Sequence, residues 1–219
     1  MATTDELIAK LGADAHAIQP LRPPMIRVGL WLLAAFAIVS GLVLSHGLRP
    51  DLIDEFSRPA VVIEWLASLS TGLLAAVATF HVSIPGRSVR WALLPVPAVM
   101  LWLATLGVGC LNDWLRYGAD GLEVGLSVGC FETIVFTSVP LGLTLLLMVR
   151  HAGPVCPGPT ILLGALSVAA FSAAGLSLFH HLNSSLMVLI SHGIGVAFVM
   201  LTGWASSGAL FRWIGLKPL

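Results

Sequence analysis

Apolar runs of about twenty residues recur six times along this chain, and surface of that extent is shielded from water most readily by lipid. The runs lie at 28–46, 60–84, 91–111, 122–149, 159–179 and 186–206. A bilayer core of about 30 Å is crossed by roughly 20 helical residues. Each run therefore predicts one span. The expected fold class is all-α: a polytopic membrane protein with six transmembrane helices and a short cytoplasmic N-terminal helix. Composition agrees, with 57% apolar and only 10% charged residues and a mean hydropathy of +0.95. A soluble domain carries about 25% charged residues.

Charge then limits the partners. Lys and Arg number 11, Asp and Glu also 11, so the formal net charge is zero. No basic excess exists to hold a phosphate backbone, and direct nucleic-acid binding is not expected. The basic residues are unevenly placed. With the N-terminus inside, Lys10, Arg22, Arg27, Arg87, Arg90, Arg150, Arg212 and Lys217 fall on the cytoplasmic side, and only Arg49, Arg58 and Arg116 on the other. Positive charge collects on the cytoplasmic face, so both termini are expected there. The sequence after the first span lacks a small-residue cleavage site, so that span is read as a permanent anchor. The chain divides into a cytoplasmic tail (1–27), a membrane domain (28–208) and a C-terminal tail (209–219).

Several features inside the spans have ordinary readings. Pro95 and Pro97 early in the third run, and Pro140 in the fourth, are kink positions that helix packing accommodates. Gly121, Gly125 and Gly129 repeat every fourth residue, a pattern for close helix approach within the molecule. Glu64 and Glu132 lie near outer span ends, where headgroup solvation competes with a role in a polar pathway. The first loop alternates Pro50, Leu52, Ile53 and Phe56 with Asp51, Asp54 and Glu55, an amphipathic turn suited to the membrane surface.

The tail carries a different signal. Thr3 and Glu6 have the spacing of a capping box, and Leu7, Ile8 and Leu11 follow at helical intervals. About ten residues make a marginal helix in water, so the stripe orders more readily against a partner groove or a membrane surface. Pro20, Pro23 and Pro24 make a stiff connection to the first span.

Four elements taken in order resemble one family. They are the tail Asp5-Glu-Leu-Ile-Ala-Lys-Leu-Gly-Ala-Asp-Ala, the loop Gly47-Leu-Arg-Pro-Asp-Leu, the stretch Gly129-Cys-Phe-Glu-Thr-Ile with Ser138-Val-Pro, and the closing Gly208-Ala-Leu-Phe-Arg-Trp. Together they resemble the negative-regulator-of-sigma-F family of bacterial inner-membrane anti-sigma factors. The resemblance implies that a cytoplasmic N-terminal segment sequesters an extracytoplasmic-function sigma factor. It assigns sigma binding to Glu6, Leu7, Ile8 and Leu11. It also implies signal sensing by outer cysteines, one of which matches Cys130. This sequence departs from the family at the second cysteine, because Phe179-His-His-Leu places His181 there. A disulfide between those two positions is thereby excluded.

Cys110 and Cys130 both approach the outer face in this reading, and either a replacement bridge or two buried thiols would fit. A bridge needs Cα atoms about 4.4–6.8 Å apart, which sequence does not fix. Cys156 reads as a cytoplasmic loop thiol. His180, His181 and His192 with Cys130 and Glu132 are competent metal ligands, but no local motif sets their geometry, so no metal or other cofactor is expected. A facing pair of histidines for haem is not evident. Neither a nucleophilic triad nor a phosphate-cradling glycine motif occurs, and no enzyme is expected. The expected function is a membrane anti-sigma factor that releases its partner on an envelope signal such as oxidative or metal stress. Its partners are the sigma factor and the lipid bilayer. The alternative is a small membrane transporter or channel using Glu64, Glu132 and the span prolines; a thiol oxidoreductase is disfavoured by the lack of a C-x-x-C pair.

Overall fold

The computed structural model describes residues 3–13, 21–118, 128–150, 157–179, 185–206 and 209. The described residues are helical and contain no strand: α1 (Thr4–Ala13), α2 (Pro24–His46), α3 (Leu52–Phe56), α4 (Pro59–Val82), α5 (Val96–Tyr117), α6 (Val128–Val149), α7 (Pro157–Leu176) and α8 (Ser185–Ala205), with a 3-10 turn at Val89–Leu93.

Proline starts these helices more often than it bends them. Pro24, Pro59 and Pro157 are first residues of α2, α4 and α7. Their missing N–H groups fall where no intrahelical acceptor exists, and their fixed φ suits the first turn. Pro95 is the N-cap of α5 and Pro97 lies in its first turn, so neither kinks a span as expected. The apolar stretch Val89–Arg116 contains the expected 91–111, but its α-helix, α5, begins only at Val96, after a separate 3-10 turn at Val89–Leu93. Pro140 does lie inside α6. Two ends are closed by glycine: Gly47 (φ 79°) after α2 and Gly118 (φ 64°) after α5 adopt backbone angles that other residues rarely take, and the Gly47 N–H donates to the Val43 carbonyl.

Five helices among the described residues are long and apolar enough to cross a membrane, running from Pro24, Pro59, Val89, Glu132 and Pro157. α8 adds the shorter apolar stretch Gly193–Ala205. Outward faces carry Phe36, Leu33, Phe136 and Met100 in the open. Apolar surface so continuous suits lipid and would aggregate in water.

The bundle is organised around α7. Of its apolar window 72% is buried, against 22% or 33% in the other four. Helices α2, α4, α6 and α8 all pack on it. The cause is residue size: Gly, Ala and Ser dominate α7 and let neighbouring backbones approach, as membrane helix interfaces favour. At Gly175 an added Cβ would stand 2.7 Å from Val39 Cγ1, and at Gly164 3.0 Å from Leu145 Cδ2. Polar groups on this seam are satisfied across it. Ser167 Oγ donates to the Gly72 carbonyl at 2.6 Å, and Trp65 Nε1 to the Ala174 carbonyl at 3.1 Å. In the Gly121, Gly125 and Gly129 stripe the first two lie outside the described residues, and of Gly129 only the helical backbone is described.

The antiparallel course gives the bundle two ends. The tail end gathers the start of α2, the ends of α4 and α6 and the start of α7. The far end gathers the end of α2, α3, the start of α4 and the end of α7.

Candidate regulatory site

In α1, the Thr3 N–H donates to Glu6 Oε2 at 2.9 Å and the Glu6 N–H to Thr3 Oγ1 at 3.3 Å. This reciprocal pair satisfies two of the donors that a helix N-terminus leaves open, an effect of about 1 kcal/mol. Glu6 thus caps its own helix through its carboxylate. The α1 backbone carries Leu7, Ile8 and Leu11, whose side chains lie outside the described residues. Among the described residues α1 forms no extended packing interface with another helix.

At the far end the loop expected to lie on the membrane surface is a charged knot. Arg49, with a side chain only 9% exposed, bonds both carboxylate oxygens of Asp51: Nε to Oδ1 at 2.8 Å and Nη2 to Oδ2 at 2.6 Å. Glu55 stands 3.9 Å from the same guanidinium and reaches Arg58 at 3.3 Å. The hydrogen bond to Asp51 leads, with the nearby charges of Asp51 and Glu55, in raising the Arg49 pKa above its ordinary value despite partial burial. Backbone contacts fix the knot to α7, since the Arg49 N–H donates to the Leu178 carbonyl at 3.1 Å. His46 stacks on Phe179 with centroids 4.9 Å apart. The Gly47-Leu-Arg-Pro-Asp-Leu motif held the signal for this site, because an arginine two residues before an aspartate across a proline turn is pre-set for a bidentate pair.

Of the three expected sensing residues, Cys110 is the one whose side chain is described. It is half-buried in α5, seven residues before Tyr117 and so about 10 Å from the helix end, instead of closing its span. Cys130 is in the first turn of α6; its side chain and the whole of His181 lie outside the described residues, as do His180, Cys156 and the C-terminal residues 210–219. Among the described residues α5 packs chiefly on α4 and α8, and α6 on α2, α7 and α8. Described residues that flank Cys130 and His181 do converge. Ile134, one turn after Cys130 on the same helix face, forms a cluster with Leu176 and Phe179. Among the described residues no group of three His, Cys, Asp or Glu side chains is placed to hold a metal. Glu132 is exposed and Glu64 half-buried.

The tail end holds charges that entered the sequence reading only as cytoplasmic-side basic residues. Arg27 is only 5% exposed; its Nη2 donates to the Met148 carbonyl and its guanidinium lies 5.0 Å from the Phe80 ring centroid. His81 stacks on Trp91 at 4.1 Å, and Arg87 Nη1 lies 2.9 Å from His81 Nδ1. Arginine only donates, so Nδ1 is the acceptor and the imidazole is neutral.

Residues 11–213 match the protein family described as negative regulator of sigma F, most of the chain. No curated protein and no solved structure matches it. The family description implies that the partner is a sigma factor and the effect on it inhibitory. With a match of that length over a bundle whose described residues include five helices long and apolar enough to cross a membrane, the chain belongs to the negative regulator of sigma F family.

Proposed function

We propose that this protein is an anti-sigma factor of the bacterial inner membrane. It holds an extracytoplasmic-function sigma factor through its N-terminal helix and releases it when the far end of the membrane domain receives an envelope signal. It acts by sequestration and not by catalysis. The observation that carries the reading is α1, a capped helix with the apolar sequence stripe Leu7, Ile8 and Leu11, joined by a proline-rich connection to a membrane bundle. Such a helix gains more from a protein groove than from water. The basic asymmetry of the loops supports cytoplasmic termini and six spans, with α8 as the sixth.

Cys130, Cys110 and His181 are the proposed sensing residues. The cluster of Ile134, Leu176 and Phe179 supports this placement, because it links the start of α6 to the chain entering His181. Oxidation or ligation of a thiol there would displace α6 against α7.

The test is co-purification of the native chain from its membrane, followed by identification of the bound cytoplasmic protein. Recovery of a sigma factor that is lost on deleting residues 1–13 is the expected result. Recovery that survives this deletion would place the binding site elsewhere.

A further inference from the structure

A guanidinium as deeply buried as that of Arg27 is unfavourable unless its donors and charge are compensated. Its compensation comes from α6. Met148 is the penultimate residue of that helix, so its carbonyl is one of the four that lack intrahelical donors, at the negative end of the helix dipole. Arg27, in the first turn of α2, therefore caps α6 from a neighbouring helix. Phe80 supplies a cation–π face on one side. Among the described residues Arg27 forms no ion pair with a carboxylate. The other terminal nitrogen, Nη1, is buried and has no hydrogen-bond partner among the described residues.

The same two helices meet a second time. Trp31 Nε1 donates to the Leu141 carbonyl at 3.4 Å, and both acceptors, Leu141 and Met148, lie on the tail side of Pro140. Proline removes one rung of the helical ladder, which makes Pro140 the natural bend point of α6. The segment beyond it is bound to α2, while the segment before it, starting at Val128, carries Cys130 in its first turn. Arg27 itself lies four residues after Pro23, where the chain enters α2. A shifted α6 that offered Nη1 an acceptor would compete with this arrangement. That is the property a two-state element needs.

We propose that Arg27 is a positioning residue that couples α6 to the root of the N-terminal tail. Its contact with Met148 holds the tail in the sigma-binding orientation, and a shift of α6 that breaks or re-pairs the contact turns the tail away. The regulatory half of this inference rests on the proposed sequestration by the tail.

The test uses the full chain with Arg27→Met, which removes every donor, and Arg27→Lys, which keeps the charge and a donor of similar reach. Spin labels on Leu21→Cys and Val89→Cys, with Cys110, Cys130 and Cys156 replaced by Ser, report the tail root against the α4–α5 connection in bilayers. Both label sites are exposed. A distance distribution that shifts or broadens with Arg27→Met and returns with Arg27→Lys is expected. In cells, at equal membrane abundance, Arg27→Met raises basal sigma-dependent transcription several-fold and Arg27→Lys restores repression. Unchanged distances with Arg27→Met overturn the coupling, as does changed distance with unchanged transcription. Should Arg27→Met fail to accumulate, Arg27→Lys with normal abundance and wild-type distances and repression supports the proposal, and loss of repression at wild-type distances overturns it. Failure of the underlying reading is separate: Leu7→Asp with Leu11→Asp would leave transcription repressed, while the distances would still decide whether Arg27 sets the tail root.

Discussion

The backbone N–H of Arg49 donates to the carbonyl of Leu178, so the turn that follows the first span is bonded to the end of the most buried helix. Beside it His46 stacks on Phe179, two positions before His181. The arrangement explains why a loop rich in acidic residues is anchored to the bundle instead of floating at the surface.

Breaking that anchor is the first prediction. Arg49→Ala leaves Asp51 and Glu55 without their guanidinium in a partly buried turn. The expected cost is about 1–3 kcal/mol, read as a lower unfolding temperature in detergent. Arg49→Lys keeps the charge but not the bidentate geometry and recovers part of the loss. An Arg49→Ala protein as stable as the wild type would reduce the knot to a surface ion pair.

Close approach at α7 gives the second. Gly175→Ala puts a methyl group 2.7 Å from Val39 Cγ1, an atom on a stiff β-branched side chain. The expected destabilisation is about 1–3 kcal/mol. Gly107→Ala on α5 meets nothing within 4 Å and leaves stability unchanged or slightly higher. Equal effects of the two substitutions would contradict the packing described.

Topology is the third. With six spans the C-terminus returns to the side of the N-terminus, and reporter fusions at both ends are active only in the cytoplasm. A C-terminal reporter active outside would remove α8 from the count of spans.

The fourth concerns the tail. Leu7→Asp with Leu11→Asp introduces two charges into the apolar stripe and releases the sigma factor in co-purification, with membrane levels unchanged. Retention of the partner would exclude the stripe as the interface.

The fifth compares Cys130→Ser, Cys110→Ser and His181→Ala, with sigma-dependent transcription followed under oxidant and metal challenge. Loss of the response in all three variants is expected of the proposed sensing set, and a normal response in Cys110→Ser would remove Cys110 from it. A full response in Cys130→Ser would make that residue structural. Loss in both cysteine variants, with a shift in non-reducing mobility, would establish a bridge.

How much of this was readable beforehand differs by feature. Helix class and the approximate membrane segments follow from the length of apolar runs, a property that needs no knowledge of neighbours. The capping pair of Thr3 and Glu6 is equally local and forms at the expected spacing. The central position of α7 was not readable, because apolarity is the same toward lipid and toward protein; only Gly72, Gly164 and Gly175 meeting particular side chains separates the two. Within the third span the α-helix starts later than the apolar run, because Trp91 and Leu93 extend the run while Pro95 and Pro97 delay the helix. Arg27 was counted only as one of the cytoplasmic-side charges, and an arginine at the end of a span ordinarily reaches water. Its burial depends on a carbonyl 121 positions away.

The seam of α7 also bears on how the bundle is held. Ser167 bonds the backbone of α4, and Ser172 faces Ser138 of α6 at 3.4 Å, so this helix meets lipid poorly but fits a cleft already lined by its predecessors. In the finished bundle α7 is thus clasped by polar contacts from two elements that precede it in the chain, and loss of either serine would loosen one side of the clasp and leave the other in place.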